Sequence, residues 1–238
     1  MKLYALKKSI FVACFIKEKY SDLYMKALSI ADFEQLKTED TYIIDTRPAS
    51  TFTLGFIPGS VNIGTEGKWE EWIQTLIKKD ASILLVTEKG AEKKTAAALE
   101  TLGYTDIKGY LKGGYNHWQA EGKRIDMIID VTADELALDI PFDPKIAVID
   151  VRTDEEYQSA HLFQADNFPL AGLVDPFQIA LLDDEANMYV YCGGGYRSVI
   201  ACSLMKREGF HNVRNILGGF NVIKETPNLK VEVPKKKI

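Results

Sequence analysis

Four short apolar runs, Tyr42 to Asp45, Ile83 to Val86, Ile146 to Asp150 and Met188 to Tyr191, are rich in Val, Ile, Leu and Tyr and are bounded by turn-forming or charged residues. Each reads as a buried strand. Elsewhere the apolar spacing turns helical. Ile200, Ala201, Leu204 and Met205 form one stripe within Ser198 to Glu208, and Thr95 to Leu102 is its counterpart earlier in the chain. Ser29-Ile-Ala-Asp32 and Thr132-Ala-Asp-Glu135 carry helix-opening caps, the second as a full capping box. Strands alternating with helices predict an α/β fold, a parallel sheet flanked by helices on both faces. Ligands of such sheets gather at the carboxyl ends of the strands.

The pattern is written twice. Ile43-Ile44-Asp45-Thr46-Arg47 returns 105 residues later as Val148-Ile149-Asp150-Val151-Arg152, and Phe52 with Phe56 and Ile57 falls where Tyr157 with His161 and Leu162 falls. Leu102-Gly103-Tyr104 matches Glu208-Gly209-Phe210, and Lys112-Gly113-Gly114-Tyr115 matches Leu217-Gly218-Gly219-Phe220. A period of this length is that of a small domain, not of a solenoid repeat. The 238 residues are therefore read as a duplicated domain whose halves meet near Gly122 to Asp130.

The chemistry differs between the halves. Directly after Tyr191, residues 192 to 198 read Cys-Gly-Gly-Gly-Tyr-Arg-Ser, a thiol on a strand-to-helix turn. Three glycines, Gly193, Gly194 and Gly195, leave the turn free of Cβ atoms, so its amides can converge on the sulfur. The helix N-terminus adds partial positive charge and Arg197 a full one, which favours thiolate over thiol and makes Cys192 the candidate nucleophile. At the equivalent place the first half reads Thr87-Glu-Lys-Gly90-Ala-Glu-Lys-Lys94, with Thr87 for Cys192, and Phe56 stands for His161. A threonine hydroxyl without a base stays protonated, and Glu88 and Glu92 repel an anion. The first half is expected to be catalytically silent, a packing partner, specificity wall or docking surface.

Both halves resemble rhodanese domains, over residues 27 to 125 and 126 to 225. Asp150-Val-Arg152 through Glu155-Glu156-Tyr157 to Ala160-His161-Leu162 is similar to the family's opening motif D-V-R-x-x-x-E-Y-x-x-G-H-I, with Ala160 in place of Gly. Cys192-Gly-Gly-Gly195-Tyr-Arg197 is similar to the active loop C-x-x-G-x-R, and Gly218-Gly219-Phe220 to the closing motif, with Ile223 where Trp is common. The resemblance divides the chain into an N-terminal arm over 1–26, a silent rhodanese-like domain over 27–125 and a catalytic one over 126–238.

What the resemblance implies is a sulfurtransferase without metal or organic cofactor. A Cys192 persulfide would carry sulfane sulfur from an anionic donor (thiosulfate, mercaptopyruvate or a persulfide) to a thiol, cyanide or a sulfur-accepting protein. Gly193, Gly194, Gly195, Tyr196, Arg197 and Ser198 would bind the donor, the amides stabilising charge on sulfur and Arg197 forking onto the donor's oxyanion. Tyr196 shapes the mouth, hydrogen-bonds an incoming group or packs on its own domain. The alternative is a non-turnover sulfur carrier or regulatory binding module. A Cys-dependent phosphatase of this fold has a loop one residue longer; here four residues separate Cys192 from Arg197, which suits a single sulfur better than a phosphoryl group. Arsenate reduction is a further option. A silent domain followed by a C-G-G-G-Y-R loop is also similar to the rhodanese part of bacterial metallo-β-lactamase-fold fusions of the persulfide dioxygenase type, which implies a glutathione-type persulfide as substrate.

Composition narrows the partners. A net charge of −5 gives no general attraction to nucleic acid or acidic membranes, so anion recognition is local. Cys14, Cys192 and Cys202 are too few and scattered for a disulfide framework, which points to a reducing, cytoplasmic compartment. Cys202 reads as a small buried hydrophobe. His117, His161 and His211 lack any ligand spacing, so no metal site is expected; His161 reads as structural, and Asp150 and Arg152 as loop-fixing. At the N-terminus, about five apolar or small residues separate Lys8 from Cys14, short of the roughly 7–15 of a signal sequence. An amphipathic arm that packs on the body or on a second subunit, making a homo-oligomer, is expected; secretion or lipid anchoring at Cys14 is the alternative. The tail from Pro234 reads as a solvated end.

Overall fold

The computed structural model describes residues 25–234. The expectations for residues 1–24, Cys14 among them, and for 235–238 lie outside the described residues. The first half runs β1 (Ala27–Leu28), α1 (Ile30–Leu36), β2 (Thr41–Asp45), α2 (Ala49–Phe52), β3 (Ser60–Asn62), α3 (Trp69–Leu76), β4 (Ser82–Val86), α4 (Glu92–Thr101), β5 (Ile107–Leu111) and α5 (Gly114–Ala120). The second runs β6 (Ile129–Val131), α6 (Ala133–Asp139), β7 (Ile146–Asp150), α7 (Asp154–Ser159), β8 (His161–Leu162), β9 (Ala165–Asn167) and a 3-10 turn at Leu170–Gly172. It continues through α8 (Pro176–Ile179), β10 (Asn187–Tyr191), α9 (Tyr196–Arg207), β11 (Val213–Ile216), α10 (Phe220–Ile223) and β12 (Val231–Glu232). The four runs expected as strands are β2, β4, β7 and β10. The two expected helices start earlier, α4 at Glu92 and α9 at Tyr196.

The caps are built as their sequences predict. Ser29 Oγ accepts from the Asp32 amide at 3.1 Å, and in the Thr132 box the Glu135 amide donates to Thr132 Oγ1 at 3.2 Å while Glu135 Oε2 accepts from the Thr132 amide at 2.7 Å. A third cap escaped the sequence reading. Thr153 and Glu156 form a capping box at the start of α7.

Two five-stranded sheets, ordered β1-β5-β4-β2-β3 and β6-β11-β10-β7-β9, repeat one permutation of equivalent strands. Pairs β1–β5 and β4–β5 and every neighbouring pair of the second sheet are parallel, as the strand–helix alternation requires. The chain is thus α/β, with two duplicated parallel sheets flanked by helices. A short antiparallel pair, β12 with β8, brings Glu232 opposite His161.

One face of the second sheet buries Val131, Leu136, Val148, Leu162, Tyr191 and Ile216 in a single cluster. On α9 the sequence shows one apolar stripe, yet all of residues 198–205 are buried. Compact packing explains this. It groups residues 25–44 with Lys78–Gly122 in one unit, and Asp45–Ile77 with residues 123–234 in another. Within this second unit α9 therefore has β3 beside it as well as its own sheet, and the Asn62 amide donates to Ser203 Oγ at 3.0 Å. A helix covered on all sides needs small or satisfied polar residues on its second face, and Ser198, Cys202 and Ser203 supply them. Among the described residues no helix is long and apolar enough to cross a membrane.

Candidate active site

The platform is a folded-back ion pair at the end of β7. Asp150 is fully buried, and its carboxylate accepts from the Arg152 amide at 3.0 Å, Nε at 3.0 Å and Nη2 at 2.6 Å. Arg152 also donates to Ala160 O at 2.8 Å and stacks over Phe220 at 3.9 Å. Asn167 Nδ2 ties Asp150 O and Arg152 O together at 3.0 and 3.1 Å. The first half repeats this with Asp45, Arg47 and Asn62, down to Arg47 Nη2 on Gly55 O at 3.0 Å. The expected loop-fixing role of Asp150 and Arg152 is what this geometry provides.

Cys192 directly follows β10, whose last residue, Tyr191, pairs with Asp150, and is 1% exposed. The Gly195 amide donates to its Sγ at 3.1 Å, and Ser198 Oγ lies 3.6 Å from the same sulfur. Gly195 reaches this position at φ +109°, a left-handed conformation that a side chain would strain. The closing motif grips the turn from behind: the Phe220 amide donates to Cys192 O at 2.7 Å and the Asn221 amide to Gly193 O at 3.1 Å. Gly219, at φ +55°, leaves no room for more, since a Cβ there would lie 2.2 Å from Cys192 O. Gly219→Ala is expected to push the turn out of place and lower any Cys192-dependent rate by about 10²-fold. Measured with thiol-reactive probes as well as turnover, the loss should follow the sulfur; a variant with unchanged reactivity would show that the turn does not depend on this contact.

Arg197 does not point an open fork at the sulfur. Its Nη1 and Nη2 donate to Glu156 Oε2 and Oε1 at 2.6 and 2.9 Å. Sequence reading missed this partner, 41 residues away, although the Thr153-x-x-Glu156 box signals where the carboxylate stands. The Arg197 hydrogen bonds hold the Glu156 carboxyl down at about 2, against the opposing effect of burial. A carboxyl lowered on folding stabilises the fold above its unfolded pKa, and that contribution is lost as pH falls from about 4.5 toward 2. The stability gap between the wild type and Glu156→Gln is expected to close over that range. A gap that stays constant down to pH 2 would place the stabilisation elsewhere.

Behind the sulfur runs a polar chain that the sequence did not suggest. Ser198 Oγ donates to Asn215 Oδ1 at 2.6 Å, Asn215 Nδ2 to Asp130 Oδ1 at 2.7 Å, and Thr53 Oγ1 to Asp130 Oδ2 at 2.7 Å. Ser198 Oγ is also 2.9 Å from Gly195 O. Tyr196 turns to the side, its hydroxyl on Gly64 O at 2.7 Å and its ring close to Gly67. A cavity of about 270 Å³ opens beside the loop, lined by Ser50, Thr53, Glu66, Gly194, Tyr196 and Asn215.

The remaining candidates have structural places. The His161 ring stacks on Tyr157 at 3.7 Å, with Nδ1 2.9 Å from Tyr157 O. Phe56 stacks on Phe52 at 4.2 Å in the first half, so this position is filled by a flat ring in both copies. Cys202 is buried, and burial pushes its thiol well up. Thr87 Oγ1 donates to Glu88 O at 3.0 Å.

A family model described as Rhodanese-like domain matches residues 29–121 and 132–226. A putative sulfur carrier protein of Bacillus subtilis, YrkF, is 27% identical over 142 residues, covering 56% of this chain and 74% of its own length. The tRNA uridine(34) hydroxylase of Pectobacterium atrosepticum is 33% identical over 81 residues, 32% of this chain and 23% of that protein. A solved thiosulfate sulfurtransferase from Pseudomonas aeruginosa aligns with 89% of this chain and 44% of its own, at 19% identity and a TM-score of 0.40. The chain spans less than half of that structure and under a quarter of the hydroxylase.

Proposed function

Since the chain belongs to the rhodanese-like family and carries two copies of its domain, we propose that it is a sulfurtransferase working through a persulfide on Cys192. The observation that carries this reading is the seat of Sγ, held by the Gly195 amide at 3.1 Å on a glycine turn between a parallel strand and a helix N-terminus. Cys192, as thiolate, attacks the outer sulfur of the donor. The donor's bond to that sulfur breaks, the remainder leaves with the electron pair, and Cys192 holds the sulfur as a persulfide. An acceptor thiolate or cyanide then attacks the outer sulfur and restores the Cys192 thiolate. The Gly195 amide and Ser198 hold the sulfur, while Arg197, paired with Glu156, stands at the start of α9. No metal or organic cofactor takes part. The reading carries with it a reducing, cytoplasmic compartment, where such a thiol stays free.

The likeness to a sulfur carrier favours a second reading, in which Cys192 stores sulfur for a partner protein. Both need the same persulfide, and turnover separates them. After exposure of the full chain to thiosulfate, mercaptopyruvate and glutathione persulfide, intact-mass analysis is expected to find one added sulfur atom, mapped to Cys192. With a thiol or cyanide in excess, an enzyme cycles many times. A carrier stops after one equivalent. No added sulfur from any donor would overturn both readings.

A further inference from the structure

We propose that the cavity of about 270 Å³ beside the loop is the subsite for the sulfur acceptor and that it selects small thiols carrying an ammonium group, through Glu66 and Asp130. This rests on the sulfur-transfer reading above and names which nucleophile takes the sulfur. The cavity adjoins the seat of Sγ. Gly195, whose amide donates to the sulfur at 3.1 Å, is part of its wall, and so is Asn215, which accepts from Ser198 Oγ at 2.6 Å. Its charge is one-sided: among the described lining residues Glu66 and Asp130 are charged, and none is Lys, Arg or His. The groups that hold these carboxylates are neutral, so neither charge is cancelled. Glu66 Oε1 accepts from the Ala49 amide at 2.8 Å, and Asp130 accepts from Asn215 Nδ2 and Thr53 Oγ1, both at 2.7 Å. The segment bearing Glu66 is pinned to the active loop, because the Tyr196 hydroxyl donates to Gly64 O at 2.7 Å and a Cβ on Gly67 would lie 2.5 Å from the Tyr196 ring.

Both carboxylates stand outside the opening, active-loop and closing motifs, and the duplication does not repeat them. Glu66 comes four residues after Asn62, where the other copy has Ala171 four after Asn167. Asp130 precedes Val131, which pairs with Ile216, whereas Ala27 precedes Leu28, which pairs with Leu111. A space below the roughly 300–1,000 Å³ of drug-sized pockets suits a small molecule. An acceptor with a carboxylate beside its thiol is repelled there, and one with an ammonium group is drawn in. Its thiolate forms a bond to the outer sulfur of Cys192–S–SH and the bond between the two sulfurs of the persulfide breaks. The products are R–S–SH and Cys192–S⁻, and the electron pair stays on Sγ, with no external oxidant or reductant.

The test measures kcat/KM for sulfur transfer from loaded Cys192 to cysteamine, mercaptoethanol and mercaptoacetate, with the full chain as wild type and as Glu66→Gln. Glutamine keeps an acceptor for the Ala49 amide and removes the charge. Each thiol has its own reactivity, which cancels when variant and wild type are compared on the same thiol. Glu66→Gln is expected to lower the cysteamine-to-mercaptoethanol ratio about fivefold and to raise the mercaptoacetate-to-mercaptoethanol ratio by about the same factor. In the wild type alone, raising the ionic strength from about 0.01 to 1 M should move the two ratios in the same opposite directions, a readout that stands even where the variant fails to fold. Ratios that Glu66→Gln leaves in place, or shifts in one common direction, overturn the proposal. Wild-type ratios indifferent to salt do so as well. A chain that loads sulfur and shows either result loses the subsite alone, whereas a chain that no donor loads overturns the sulfur-transfer reading itself.

Discussion

Cys192→Ser is expected to abolish sulfur transfer, lowering kcat/KM by roughly 10⁴- to 10⁶-fold while leaving the thermal unfolding curve in place. The seat would accept the smaller oxygen, since it is defined by backbone, with the Gly195 amide at 3.1 Å and the Phe220 amide locking Cys192 O at 2.7 Å. Only the chemistry changes. A hydroxyl without a base is a poor nucleophile toward sulfur and forms no persulfide. The first half offers the comparison: Thr87 follows β4 as Cys192 follows β10, and its hydroxyl donates to its neighbour's carbonyl at 3.0 Å. Donor consumption, acceptor production and the intact mass check the outcome together. Retention of more than about a tenth of the rate would mean that another group carries the sulfur. Cys202 is a poor substitute, because burial pushes its thiol well up.

The largest effect on stability is expected from Asp150→Ala, about 3–5 kcal/mol, with a fall in Tm on the order of 10 °C. Asp150 is fully buried, and its removal strands the Arg152 guanidinium in a place with little water. Arg152 would keep Ala160 O and the Phe220 ring but lose the carboxylate that neutralises it. Because the Phe220 amide also anchors Cys192, activity should fall with stability. Lys145→Ala offers the contrast: its pair with Glu185 is exposed on both sides, and its removal should change stability by less than about 1 kcal/mol. Urea unfolding of the two variants checks both numbers. Similar losses from the two would show that burial of the Asp150 pair carries no special weight.

The strands, the duplication and the thiol turn were legible in the sequence because each is a local pattern: apolar runs, a 105-residue echo of Ile-Asp-x-Arg, and three glycines after a cysteine. The caps at Ser29 and Thr132 were legible for the same reason. What escaped depends on topology. Glu156 meets Arg197 because α7 and α9 begin above neighbouring parallel strands, β7 and β10, and nothing in the sequence over that 41-residue separation encodes the adjacency. Asn215 and Asp130 sit on the neighbouring strands β11 and β6, and their link to Ser198 appears only once those strands pair. The stripe on α9 was visible, but the burial of its other face was not, because the segment that covers it lies about 140 residues upstream in the other repeat.

The packing of Asp45–Ile77 with residues 123–234 draws two different lines through one molecule. Ancestry divides it at the repeat junction, whereas cohesion divides it inside the older pattern. Scissors applied at the junction would take the Gly64 carbonyl from Tyr196 and the Asn62 amide from Ser203, baring a helix that has no solvent-ready side. The copy that lacks the thiol turn thus lends residues 45–77 to the unit that carries Cys192, and those residues form part of the packing of α9.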